Sequence, residues 1–134
     1  MAKRESSYER RRDILEAFNL TLRRMASANP DVLIGDVISE TYKSCAPRFY
    51  LTIGSAQRGI KSVLNGTYSF VEKPMTEAMY KELAKRYVSI VPGETDRIRS
   101  DVVRVIIEQP APSFYLTRRS FRKILYQALN EIRG

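Results

Sequence analysis

From Tyr8 onward, apolar residues recur at three- and four-residue steps. Ile14, Leu15, Phe18, Leu22 and Met25 form the stripe of an amphipathic helix. Ala28-Asn29-Pro30-Asp31 breaks that pattern. A second helix is predicted from Asp31, its N-cap, to Cys45, with Leu33, Ile34, Val37, Ile38, Thr41 and Tyr42 inward. Gly35 either weakens this helix, by up to ~1 kcal/mol relative to Ala, or marks a close helix–helix approach. Pro47 restricts Ala46 to an extended conformation and so ends the helix. Phe49-Tyr50-Leu51 is a short β-prone triplet. Thr52 is then the N-cap of a third helix, Ile53 to Leu64, with Ala56, Ile60, Val63 and Leu64 inward. Asn65-Gly66 supplies a left-handed stop.

The same plan returns 65 residues later. Ala46-Pro47-Arg48-Phe49-Tyr50-Leu51-Thr52-Ile53-Gly54-Ser55 reappears as Ala111-Pro112-Ser113-Phe114-Tyr115-Leu116-Thr117-Arg118-Arg119-Ser120, with seven of ten positions identical. At this offset Ile14, Leu15, Phe18, Leu22 and Met25 fall on Met79, Tyr80, Leu83, Tyr87 and Ile90. Leu33, Val37, Ile38 and Tyr42 fall on Ile98, Val102, Val103 and Ile107, and Ile60 and Leu64 on Leu125 and Leu129. The pattern predicts an all-α fold, a tandem duplication of a three-helix, helix-turn-helix-like unit. Residues 1–9 read as a flexible N-terminus, 10–66 as the first repeat, 67–74 as a linker and 75–134 as the second repeat. In the linker Tyr68, Phe70 and Val71 alternate, as in an extended segment laid on a core. Both repeats are expected to share one compact domain around a pseudo-twofold axis. The two Phe-Tyr-Leu triplets are placed to pair there as a short antiparallel ladder.

Composition narrows the chemistry. The chain of 134 residues carries 23 Lys and Arg, mostly Arg, against 15 Asp and Glu, a net charge of +8. That surplus points to a polyanion, and Arg suits phosphate because its fork of donors matches two oxygens at once. There is no His, which removes the commonest general base and zinc ligand. The single Cys45 excludes an intrachain disulfide framework and reads as a buried thiol. No Gly-rich phosphate loop, carboxylate pair or nucleophile–base pair is visible, so the reading is a non-enzyme without cofactor, metal or catalytic residues. No apolar run reaches the roughly 18 residues of a membrane span, and the charged start lacks a signal-peptide core, so the expected location is the cytoplasm.

The binding expectation rests on the third helices. A helix-turn-helix protein places such a capped helix in the major groove. Arg118, Arg119, Arg122 and Lys123 crowd the first two turns after Thr117. Cations there oppose the helix macrodipole, and a bound phosphate would explain them. A solvated basic face, or pairing with Glu108 or Glu94, is the alternative. The first copy has Ile53 and Gly54 instead, with Arg58 and Lys61 further along and Arg48 inside the motif. Phe49, Phe114, Leu51 and Leu116 are expected to be buried as staples at each helix start. Tyr50 and Tyr115 then face the other way, as contact candidates. The connection from Ala46 to Leu51 is longer than a tight helix-turn-helix turn. The reading is a duplex DNA-binding protein, DNA in preference to RNA. The alternative is a phage or mobile-element structural or adaptor protein whose basic face meets an acidic protein surface.

The A-P-R-F-Y-L-T and A-P-S-F-Y-L-T segments follow helices containing V-I and V-V-x-x-I-I. Together with the R-R-R-D-I-L start, they resemble a family of small basic proteins found in Bacteroidetes and their phages and mobile elements. The resemblance implies a phage or mobile-element setting, in the bacterial cytoplasm or the phage particle. It carries no functional residues over.

Overall fold

The computed structural model describes residues 2–67, 73–93 and 96–133, with side chains from Ser7 to Ile132. Tyr68, Phe70 and Val71 of the predicted linker, and Glu94, lie outside the described residues. Among the described residues six α-helices follow one another: α1 (Ala2–Ala28), α2 (Ile34–Tyr42), α3 (Ile53–Asn65), α4 (Pro74–Ile90), α5 (Ser100–Ile107) and α6 (Arg118–Arg133). The fold is all-α. Among the described residues, no helix is long and apolar enough to cross a membrane.

Local chemistry sets most of the boundaries. Thr52 Oγ1 accepts the Ser55 N–H at 3.1 Å, and Thr117 Oγ1 accepts the Ser120 N–H at 3.2 Å, so both third helices start from the same cap. α3 ends at Gly66, whose φ of 67° is the left-handed stop. Pro74 begins α4 where its missing N–H costs nothing. Several boundaries differ from the sequence expectation. α1 takes in residues 2–9, predicted to be a flexible end; within that stretch the Glu9 carboxylate accepts from Arg48 at 2.8 Å. Asp31 does not cap α2. The Asn29 side chain captures the Asp31 N–H at 3.1 Å and the Asn29 carbonyl accepts from Val32, so the chain makes a further turn. The helix then begins only after an extended Leu33.

That shift explains two exposed apolar residues. Leu33 is 68% exposed and Ile34 51%, although both were expected inside. At the far end of α4, Ile90 is also exposed, because the following Val91 packs against the core in its place. The rest of the apolar stripe is where the periodicity puts it. Ile14, Phe18, Val37, Ile38, Ile60, Leu83, Tyr87, Val103 and Leu125 are buried, and Phe121, not singled out in the sequence, joins them. Phe49 and Phe114 are buried as expected, while Leu51 and Leu116 are only half-buried against the core. Cys45 is exposed, contrary to the expected buried thiol, since α2 stops before it at Tyr42.

The helix packing departs from a helix-turn-helix unit. α3 packs on α4 and α5, and α6 packs on α1 and α2. Among the described residues α2 does not touch α3, and α5 does not touch α6. Each third helix therefore rests on the other half of the chain. The cause lies in the long connections. After α2 the chain runs extended through Ala46 and crosses the corresponding stretch at Ala111. The two alanines form an isolated antiparallel bridge, Ala46 N–H to Ala111 O at 2.9 Å and Ala111 N–H to Ala46 O at 2.8 Å. The Phe-Tyr-Leu triplets do not pair as a ladder, because Tyr115 has a left-handed φ of 53° that no strand accommodates. Their rings stack crosswise instead, Phe49 on Tyr115 at 5.9 Å and Tyr50 on Phe114 at 6.1 Å.

The two interfaces are filled differently. On α3, Gly59 lies flat against Tyr80 of α4, and a Cβ there would land in the tyrosine ring. The residues 65 positions away are Ile124 and Leu15, a larger and a smaller side chain in place of the smallest and a large one. Gly59→Ala is expected to destabilise the protein by about 1–3 kcal/mol through overpacking. Tyr80→Leu in the same chain should recover part of the loss, and urea denaturation of the single and double variants measures both.

Candidate nucleic-acid interface

The exchange of third helices decides what surrounds the basic start of α6. Tyr42 of α2 reaches it from the other half of the chain. Its hydroxyl donates to the Leu116 carbonyl at 2.8 Å, and its ring meets Phe121 edge-on at 5.3 Å. These contacts fix the ring just before the helix begins. The Arg118 guanidinium lies over the Tyr42 ring, 5.0 Å from its centre, which holds the cation in one orientation without neutralising it. Arg118, Arg122 and Tyr42 line a groove of about 120 Å³, with Gly35 and Ser39 on its α2 side.

The charge of this end is unbalanced. Arg118, Arg119, Arg122 and Lys123 are all exposed, and the first turn of α6 contains no acid. Among the described residues none of the four forms an ion pair, including with Glu108. Four cations gathered at the positive end of a helix repel that end and one another. An anion in front of the helix would relieve both repulsions.

The corresponding groove on the other side has different chemistry. There Gln57 stands 65 positions from Arg122 and donates to the Ile98 carbonyl at 2.9 Å. Arg99, exposed at the same cleft, is held by Asp101 at 2.8 Å. That bond is why the Asp101 carboxyl lies below its ordinary pKa. Arg58 folds back onto the Ser55 hydroxyl at 3.3 Å, and Lys61 is exposed further along α3. α3 and α6 make no contact with each other among the described residues, so Arg58 and Lys61 belong to a helix apart from the α6 cluster.

The three remaining sequence candidates sit in the motif crossing. Arg48 donates to Glu9 at 2.8 Å and lies 4.0 Å from Asp13, so its charge is met by acids of α1. The Tyr50 hydroxyl donates to Asp13 Oδ2 at 2.6 Å, while its ring stacks on Phe114. Tyr115 is half-buried against Phe49 and accepts no strand geometry. Neither tyrosine presents a free ring face on the Phe49 and Phe114 sides. Burial, and for Tyr50 also the bond to Asp13, raises the pKa of both hydroxyls above the ordinary tyrosine value.

Sequence reasoning did not bring Tyr42, Ser39 or Gly35 to the site. Gly35 was read as a weak point or a close approach, but nothing lies within 4 Å of where its Cβ would be; it lines the groove instead. No signal in the linear order pairs α2 with α6. Among the described residues no group of three His, Cys, Asp or Glu is placed to hold a metal ion. No family model, curated protein or solved structure matches the chain.

The raised Tyr50 hydroxyl has a stability consequence of defined sign. The folded state keeps the Tyr50 proton at pH values where the unfolded chain has lost it, above about 10. This contribution is therefore complete below pH about 10 and declines as the pH rises beyond it. Tyr50→Phe is expected to flatten the fall in stability between about pH 9.5 and 11.5, measured as denaturation midpoints at a series of pH values.

Proposed function

We propose that the protein is a non-enzymatic nucleic-acid-binding protein, acting on duplex DNA in preference to RNA, with α6 as its contact helix. The observation that carries this reading is the set of four cations over the first two turns of α6 that form no ion pair among the described residues, beside a groove that orients one of them. Arg118, fixed over Tyr42, and Arg122 at the groove are suited to phosphate oxygens. Arg119 and Lys123 extend the same charged end. The role of a supporting second helix falls to α2, although α2 and α6 come from opposite halves of the chain. The α3 end, with Ile53, Gly54 and Gln57 at the matching positions, contributes less, and Arg58 and Lys61 act as secondary contacts at most. The setting consistent with the motif resemblance is a phage or mobile element in a bacterial cytoplasm or particle.

A second reading draws on the exposed Leu33 and Ile34, which immediately precede Gly35 of the basic groove. An apolar step beside four cations also suits an acidic protein surface, as in a structural or adaptor role. A complex that survives nuclease treatment would favour it.

Electrophoretic mobility shift with duplex DNA at low salt tests the first reading. The unmodified chain should bind, and the double charge reversal Arg118→Glu with Arg122→Glu should lower affinity at least about tenfold. The slope of log affinity against log salt should fall by about 0.9 for each phosphate contact removed. Absence of any shift at low salt would sink the nucleic-acid reading.

A further inference from the structure

Another arginine lacks a counter-charge among the described residues, in a different part of the molecule. Of the run Arg10 to Arg12, Arg11 pairs with Glu131 at 2.6 Å and Arg12 lies 3.5 Å from Asp13. Arg10 forms no ion pair or hydrogen bond among the described residues, and its Nε is fully buried. Burial lowers its pKa from the ordinary arginine value. Among the described residues no carboxylate pairs with this partly buried guanidinium, and Tyr50 opposes its desolvation only in part.

Arg10 lines a cavity of about 240 Å³ formed by three elements. Ser7 joins it from α1, Tyr50, Thr52 and Ser55 from the first motif, and Tyr80 from α4. The hydrogen bonding of the serine is informative. Ser55 Oγ accepts from Thr52 Oγ1 at 3.0 Å and from Arg58 Nη2 at 3.3 Å. A hydroxyl rotates to suit its partners, so the Ser55 proton can be turned to an acceptor in the cavity. The Tyr50 hydroxyl is turned away toward Asp13. The nearby acids Glu9 and Asp13 are already engaged by Arg48, Arg12 and Tyr50. No acid lies in the first turn of α3. The cavity thus offers a hydroxyl donor and a positive charge that no described acid pairs with, a pattern that fits a compact ligand with several acceptor oxygens and negative charge.

We infer that this cavity binds a phosphate group, with Arg10 as its charged partner and the Ser55 hydroxyl as a donor. Its volume admits inorganic phosphate or the phosphate end of a small ester. The inference does not rest on the nucleic-acid reading, because none of the residues lining this cavity belongs to α6.

Titration of the full chain with inorganic phosphate and, separately, with adenosine 5′-monophosphate, followed by ¹H–¹⁵N NMR at constant ionic strength, tests it. Saturable shifts are expected at the amides of residues 53–55 and at the Arg10 Nε–H. Tighter binding of the monophosphate would identify an ester as the ligand, and equal affinities would identify free phosphate. Arg10→Gln should weaken binding at least tenfold, whereas Arg118→Glu with Arg122→Glu should leave it unchanged. A separate readout needs no variant: phosphate should raise the melting temperature of the unmodified chain above that in chloride of equal ionic strength. Absence of saturable shifts with either probe, no rise in melting temperature, or undiminished binding by folded Arg10→Gln would overturn the inference.

Discussion

The reciprocal hydrogen bonds between Ala46 and Ala111 are the constraint on which the rest of the architecture depends. Both residues are almost completely buried, so their backbone groups have no access to water. Each bond adds only about 0.5–1.5 kcal/mol net, but leaving such a buried group unpaired costs about 1–3 kcal/mol. The two chain segments must therefore meet in this register or not at all. A small side chain at both positions lets the backbones approach, and the proline after each keeps the alanine extended. The crosswise ring stacks then extend the contact on either side, Phe49 with Tyr115 and Phe114 with Tyr50.

Because the segments cross, each delivers the helix that follows it to the opposite half. α3 settles on α4 and α5, and α6 on α1 and α2. The interfaces so formed have the same plan and different fillings. Tyr42 against Phe121 occupies the positions that Ile107 and Ala56 hold at the other end. Gly59 receives the Tyr80 ring where Ile124 and Leu15 stand in the other pair. Exchanging large and small residues between facing positions preserves packing while letting the two surfaces diverge in chemistry.

That divergence is clearest in how the arginines are used. Arg48 is tied to Glu9, and Arg86 to Glu82 and the Pro110 carbonyl while it covers the Phe49 ring. These residues fasten the crossing to α1 and α4. Among the described residues the arginines at the start of α6 are left without ion pairs, at a helix end that already carries partial positive charge. The same residue type thus closes the core at one place and leaves an open positive field at another, depending only on whether an acid was placed opposite.

Much of this was legible in the chain itself. The threonine caps, the glycine stop of α3, the buried stripes and the doubling of the motif follow from local rules, since spacing, side-chain capping and backbone sterics act within a few residues. The concentration of charge at the start of α6 is equally a property of the linear order. The sequence could not say which helix would lie beside that charge. Tyr42 and Arg118 are 76 positions apart, and a unit with a shorter connection would have folded its third helix back on its own second. Only the tertiary structure placed Tyr42 under Arg118, turned Tyr50 toward Asp13 and left Arg10 without an ion pair among the described residues. The reason is physical: the pairing of Ala46 with Ala111 is long-range, and its geometry redirects every contact that follows. The A-P-x-F-Y-L-T motif specified where each helix begins, and the crossing of its two copies decided what each helix meets.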